Sequence, residues 1–210
     1  MQQMVNGKLE TVVSVKTMRA LDAATIAGGV PGEVLMARAA QGVFCNVEWS
    51  GKIAIIAGGG NNGGDGYALA CILKKAGFDP VALYTSDKLS PAAAYYEKQA
   101  RQLCVPIERF RSGCLAGWDI IVDCILGTGF SGAVRGVPRE AILEIGRSGA
   151  YVVSVDINSG MDGDTGEAEL AVKSDLTISI GFYKQGLLAP AAKKYISRLI
   201  NIDIGILPPD

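Results

Sequence analysis

Two hydrophobic patterns alternate along the chain. Short continuous apolar runs at residues 52–57, 80–85, 119–126, 151–155, 176–180 and 196–204 read as strands, with a shorter one at 105–108. Continuous runs of this length suit strands covered on both faces, as in a parallel sheet. Between them apolar residues recur at helical spacing. Helices are predicted at 17–27 with Thr17 as cap, at 33–47 after Pro31, at 65–76 ending before Gly77, at 91–103 from Ser90-Pro91, and from Pro138 to 147. Residues 1–13 show no clear period and are expected to form a frayed arm. The prediction is an α/β fold, a three-layer Rossmann-like sandwich with a mostly parallel sheet. The first two helices form an N-terminal helical cap. No linker, repeat or low-complexity tract divides the 210 residues, so one domain is expected.

Composition narrows the chemistry. Hydrophobic residues make up 49% of the chain, enough for one large core. The net charge of −1 gives no basic field to hold nucleic acid. No apolar run approaches the roughly 18 residues of a membrane span, and no signal-peptide pattern opens the chain. The five cysteines (Cys45, Cys71, Cys104, Cys114 and Cys124) are odd in number and lack CxxC spacing. They read as reduced core residues in a cytoplasmic protein. Histidine is absent, which excludes Ser-His-Asp and Cys-His catalysis and His-ligated metal. Proton transfer must use carboxylate, lysine, tyrosine, cysteine or water.

The candidate chemistry lies where apolar runs end in glycine. After Ala57, five glycines fall in the seven positions 58–64, followed by the start of a helix. A bare backbone can approach a ligand closely, and helix N-termini favour anions. Gly58-x-Gly60-x-x-Gly63 matches the dinucleotide pattern in its strand-loop-helix context, and no Gly-Lys-Ser/Thr makes it a P-loop. A tight turn without ligand is the bland alternative. Asp87, a candidate ribose ligand, lies later than the ~20 residues usual for hydride-transferring enzymes. Asn61, Asn62 and Asp65 are polar beyond a turn's needs, and Asp65 is also a candidate helix cap.

Asp123 follows Ile120-Ile121-Val122, so its carboxylate needs a partner, either hydrogen-bond donors or a hard cation with oxygen ligands. Gly127-Thr128-Gly129-Phe130-Ser131-Gly132-Ala133 is a second glycine loop, either a phosphate or ribose contact or a plain connection. Asp156, at the end of another strand, is the first candidate for acid/base work, with loop capping as its alternative. Ser159 has no base beside it in sequence and reads as an oxygen ligand. Residues 162–166 lack the twelve-residue calcium pattern and read as a turn. Ligands of open α/β sheets bind beyond the carboxyl ends of strands, so these loops are expected to share one rim.

Gly60-Asn61-Asn62-Gly63-Gly64-Asp65-Gly66-Tyr67, Asp123 ahead of Gly127-Thr128-Gly129, and Asp156-Ile157-Asn158-Ser159-Gly160-Met161-Asp162-Gly163-Asp164-Thr165-Gly166 together closely resemble the NAD(P)H-hydrate epimerase family. Gly205-Ile206-Leu207-Pro208-Pro209 is similar to the end of that domain. The resemblance covers essentially the whole chain. It implies interconversion of the R and S epimers of NADHX and NADPHX, the hydrated nicotinamide cofactors. It assigns Asn61, Asn62, Gly63, Gly64, Asp65, Gly127, Thr128, Gly129, Phe130, Ser131, Gly132, Ala133 and Asp156 to the substrate. A potassium ion is assigned to Asn62, Asp123 and Ser159. An ADP- or ATP-dependent NAD(P)H-hydrate dehydratase is the implied functional partner, and a homodimer is an expected assembly.

The chain departs from the family pattern twice. Asn158 stands where relatives usually have proline, which is expected to loosen the turn presenting Asp156 and Ser159. Leu35-Met36-Ala37-Arg38-Ala39-Ala40 lacks the Glu-Asn pair common there. A non-catalytic nucleotide- or RNA-binding scaffold of the same fold is the alternative, opposed by the retained Asp123 and Asp156 and the missing basic surface. An NAD-dependent dehydrogenase is a third reading, weakened by Asn61-Asn62 inside the glycine loop.

Overall fold

The computed structural model describes residues 1–208. Pro209, which closes the carboxy-terminal motif, lies outside the described residues. The chain starts with strands β1 (Gln2–Val5) and β2 (Lys8–Val13), then helices α1 (Val15–Ala27) and α2 (Gly32–Cys45). Strand β3 (Ile53–Ala57), α3 (Asn61–Lys75), β4 (Val81–Tyr84), α4 (Pro91–Gln102) and β5 (Ile107–Arg109) form the first half. Strand β6 (Ile120–Cys124), α5 (Gly136–Ile145), β7 (Tyr151–Val155) and β8 (Ser174–Ile180) follow. The chain continues through β9 (Tyr183–Lys184), α6 (Gln185–Leu188), a 3₁₀ turn at Pro190–Lys194, and β10 (Ile196–Ile202).

Seven strands form one sheet in the order β10-β8-β7-β6-β3-β4-β5, and every pairing in it is parallel. Along β3, Ile53 and Ile55 enter one core with α2 and α3, while Ala54 and Ile56 enter the other with α5. Both faces are therefore buried, which explains the unbroken apolar run. The result is the expected Rossmann-like three-layer fold. The chain runs outward from β3 to β5, then returns to place β6 on the other side of β3. That reversal opens a crevice beyond the carboxyl ends of β3 and β6.

The N-terminus corrects the sequence reading. Residues 1–13 are a β-hairpin, not a frayed arm. Asn6 and Gly7 turn the chain with φ of 51° and 79°. Asn-Gly is a strong hairpin signal, because both central residues of the favoured turn need positive φ. Strand β2 then runs parallel to β9, pairing Val13 with Lys184. Helix α1 begins earlier than predicted, capped by Ser14, whose Oγ accepts from Thr17 N. Helix α3 starts at Asn61 behind Gly60, so Asp65 lies inside the helix and does not cap it.

Of the cysteines, all free, only Cys71 and Cys124 are buried, while Cys45 and Cys104 are exposed. Among the described residues no helix is long and apolar enough to cross a membrane.

Candidate active site

The crevice holds a cleft of about 600 Å³. Its walls are α1, α2, the start of α3, residues 125–130 after β6, Asp156 after β7, and Lys184. Direct backbone contact locks the two glycine loops together. Gly58 N–H donates to the Cys124 carbonyl at 2.9 Å, and a Cβ on Gly58 would lie 1.8 Å from the Ile125 carbonyl oxygen. A Cβ on Gly63 would lie 1.9 Å from the Gly58 carbonyl oxygen. Both glycines are therefore required by packing.

The predicted residues divide by position. Asn61, Asn62, Asp65, Gly127, Thr128, Gly129, Phe130 and Asp156 line the cleft. Gly63 and Gly64 face inward, Gly64 against Met36 and Ala93. Ser131 and Gly132 border a smaller neighbouring pocket with Asp162, Glu167 and Glu169, and Phe130 separates the two. Ala133 is exposed and borders neither. Asn62 and Asp156 flank one glycine: a Cβ on Gly127 would stand 3.1 Å from Asn62 Cβ and 3.4 Å from Asp156 Oδ2.

Beneath the cleft lies Asp123, fully buried. Its Oδ1 accepts from Ser159 Oγ at 2.5 Å and Ile125 N at 3.2 Å. Its Oδ2 accepts from Ser154 Oγ and Ser159 N, each at 2.9 Å. Burial pushes the carboxyl up, and these donors oppose the rise. Ser159 Oγ lies 3.1 Å from the Leu126 carbonyl oxygen, which also accepts from Asn62 Nδ2 at 3.1 Å. Asn62 and Ser159 thus meet at one carbonyl, and Ser159 links it to Asp123. The Asn62 Oδ1 atom is buried and has no hydrogen-bond partner. An orphaned buried acceptor is costly unless something positive satisfies it. Amide, carbonyl, hydroxyl and carboxylate oxygens together suit a hard cation, so these residues could hold one.

Asp156 adopts φ of 68°, a left-handed conformation that aspartate tolerates better than most residues. Its Oδ1 accepts from the ammonium of Lys184, which is 1% exposed and also donates to the Ile180 carbonyl at 2.7 Å. Two more carboxylates line the same cleft. Burial, then the charges of Asp156 and Asp22, hold the Asp65 carboxyl well above the usual range, against the pull of Lys184. Burial and Asp156 raise Asp22 as well. A cleft floor with three carboxylates and one lysine can take up, hold and return a proton.

The turn after Asp156 is pinned where a loose one was expected. Fully buried Asn158 donates from Nδ2 to the Val172 carbonyl, Ser174 Oγ and the Tyr195 carbonyl. Its Oδ1 accepts from Thr177 Oγ1 at 2.7 Å. Four side-chain bonds take the place of proline's fixed φ. The 162–166 segment is a turn as expected, its N–H groups gathered on Asp162 Oδ1.

Sequence reasoning missed Lys184, Asp22, Arg19 and Ser154. Lys184 left a trace, because it lies three residues after Gly181, the glycine that follows β8. Asp22 left another, as a carboxylate on the face of α1 shared with Met18.

Comparison with known proteins completes the picture. The family model for YjeF-related protein N-terminus matches residues 32–186. A protein of Limosilactobacillus fermentum named NAD(P)H-hydrate epimerase is 35% identical over 204 residues, covering 92% of this chain and 97% of that one. The bifunctional NAD(P)H-hydrate repair enzyme Nnr of Pyrobaculum aerophilum is 36% identical over 86% of this chain, which spans only 39% of that longer protein. A yeast protein of known crystal structure superposes with a TM-score of 0.76 at 23% identity, over 90% of this chain and 88% of that one, and so shares the fold. With three quarters of its length matched by the family model and full-length relatives above 30% identity, the chain belongs to the family of YjeF-related protein N-terminal domains.

Proposed function

We infer that this protein is an NAD(P)H-hydrate epimerase, an isomerase that interconverts the R and S forms of NADHX and NADPHX in repair of nicotinamide cofactors. The observation that carries this reading is the placement of Asn62 and Asp156 on either side of Gly127 in one cleft, in a chain of this family. The first turn of α3 and residues 127–130 bind the dinucleotide. The hydrated ring sits against Asp156, which moves the proton as the ring hydroxyl leaves and returns, or as the ring opens and recloses. Lys184 orients that carboxylate. Potassium is the proposed ion of the oxygen set formed by Asn62, Asp123 and Ser159. When bound it supplies positive charge that satisfies the orphaned amide oxygen and stiffens both loops. A scaffold that binds RNA is not favoured, since carboxylates dominate the cleft.

The bifunctional relatives point to a hydrate dehydratase as functional partner, consuming the epimer produced here. The five free cysteines support a reducing compartment, and the cytoplasm is the proposed location.

The test is turnover of purified R-NADHX in potassium buffer, followed by chiral separation of the epimers. Asp156→Asn should lower kcat by about 10²- to 10⁴-fold, the usual worth of a positioned acid/base group. Full activity in the variant would refute the role of Asp156. No epimerisation by the parent protein would refute the function.

A further inference from the structure

Five charged side chains line the cleft: Arg19, Asp22, Asp65, Asp156 and Lys184. Lys184 is sealed beneath Asp156 and already bonded to that carboxylate and to a backbone carbonyl. Arg19 differs in every respect. It is exposed, and among the described residues it forms no ion pair within 4 Å. Among the described residues its one side-chain hydrogen bond runs from the guanidinium to the Thr128 carbonyl of the second glycine loop. Asp22 lies three residues further along the same helix and also lines the cleft. The site thus has an acidic floor and a single cation at its solvent side.

We propose that Arg19 grips the pyrophosphate of the dinucleotide and so sets the direction in which the substrate enters. The inference rests on the epimerase reading. A hydrated nicotinamide ring is uncharged, while the pyrophosphate carries two negative charges. The acidic side chains of the floor offer those charges no partner, and Arg19 attracts them to the loop, which leaves the ring to reach Asp156. A guanidinium has five N–H donors in a fixed fork. One can stay on the Thr128 carbonyl while the others bind phosphate oxygens, the charge-assisted pairing for which arginine is suited.

The discriminating variant is Arg19→Gln, which removes the charge and keeps a polar side chain with an N–H donor. ADP-ribose, the dinucleotide without its nicotinamide, is the calorimetric probe. Arg19→Gln should weaken ADP-ribose binding and raise KM for NADHX about 10- to 100-fold, as for loss of a charge-assisted pair, with kcat within about twofold. Arg19→Lys should recover most of the loss. The parent's KM should rise with salt, and that of Arg19→Gln should respond less. A phosphate-free hydrated nicotinamide riboside should be turned over equally by parent and Arg19→Gln.

Unchanged ADP-ribose affinity and KM in Arg19→Gln would overturn the proposal. An equal loss on the phosphate-free substrate would also overturn it, by showing that Arg19 only shapes the loop. If the parent epimerises NADHX while KM is indifferent to Arg19, this inference alone fails. If ADP-ribose binding depends on Arg19 but no hydrate turns over, the grip stands and the epimerase reading fails.

Discussion

Replacing Asn158 by leucine tests whether the turn behind Asp156 is held by side-chain bonds. Leucine matches asparagine in shape and cannot hydrogen-bond. The Tyr195 carbonyl keeps a donor, because it also accepts from Ser174 N at 2.8 Å. The Val172 carbonyl loses its Nδ2 donor, and one hydroxyl of the Ser174–Thr177 pair loses its acceptor. Two buried orphans at about 1–3 kcal/mol each cost roughly 2–6 kcal/mol. Burying an apolar side chain returns about 1.5–3 kcal/mol of that. Taken at their midpoints, the two leave a net loss of about 2 kcal/mol, a sizeable part of the roughly 5–15 kcal/mol that holds most domains folded. For a chain of this size it corresponds to a Tm lower by roughly 4–8 °C. Differential scanning calorimetry of parent and variant measures it directly. Activity well below Tm should fall too, since Asn158 stands between Asp156 and Ser159. A Tm change under about 2 °C would show that the network contributes nothing net.

Three further outcomes are expected. Potassium that binds only the native protein should raise its stability by about 1.4 kcal/mol at ten times Kd, roughly 3–5 °C in Tm. Asn62→Leu should abolish the difference between potassium and choline buffers, and an identical increment in both proteins would remove Asn62 from the ion site. Asp65 has a raised carboxyl, so its stabilising contribution is complete below the unfolded value and is lost as pH rises through the folded one. Asp65→Asn should therefore unfold later than the parent in denaturant at pH 8, with the gap closing towards pH 4, and a gap constant with pH would contradict this. Gly63→Ala drives a Cβ against the Gly58 carbonyl and should cost about 3 kcal/mol or more, whereas Gly129→Ala meets no atom within 4 Å and should stay within about 0.5 kcal/mol. Equal urea midpoints for the two alanine variants would disprove the close approach of Gly63 to the Gly58 carbonyl.

The sheet was readable from the chain because a strand buried on both faces leaves an unbroken apolar run, as at β3. The glycine loops were readable because backbone contact such as that between Gly63 and Gly58 leaves room for no other residue. Strand β9 was not, since two residues cannot show a period, and its lysine therefore went unremarked. Asp22 was hidden differently: one carboxylate on a half-exposed helix looks like any solvated residue until the opposite wall is in place. The hairpin was legible in Asn6-Gly7, but the strands on either side are mostly exposed and carry little hydrophobic alternation. Asn158 shows the converse. A departure from a familiar motif suggests looseness, and only the folded chain reveals four partners drawn from segments 14 to 37 residues away.

The pairing of Val13 with Lys184 joins the first strands of the chain to one of the last. Contacts so distant in sequence form late, because a long loop must close first. During synthesis Asp156 leaves the ribosome well before its lysine, and the hairpin waits for β9 before it can dock. Competence for catalysis should arrive abruptly, with the closing of this clasp, and not by degrees as the sheet grows.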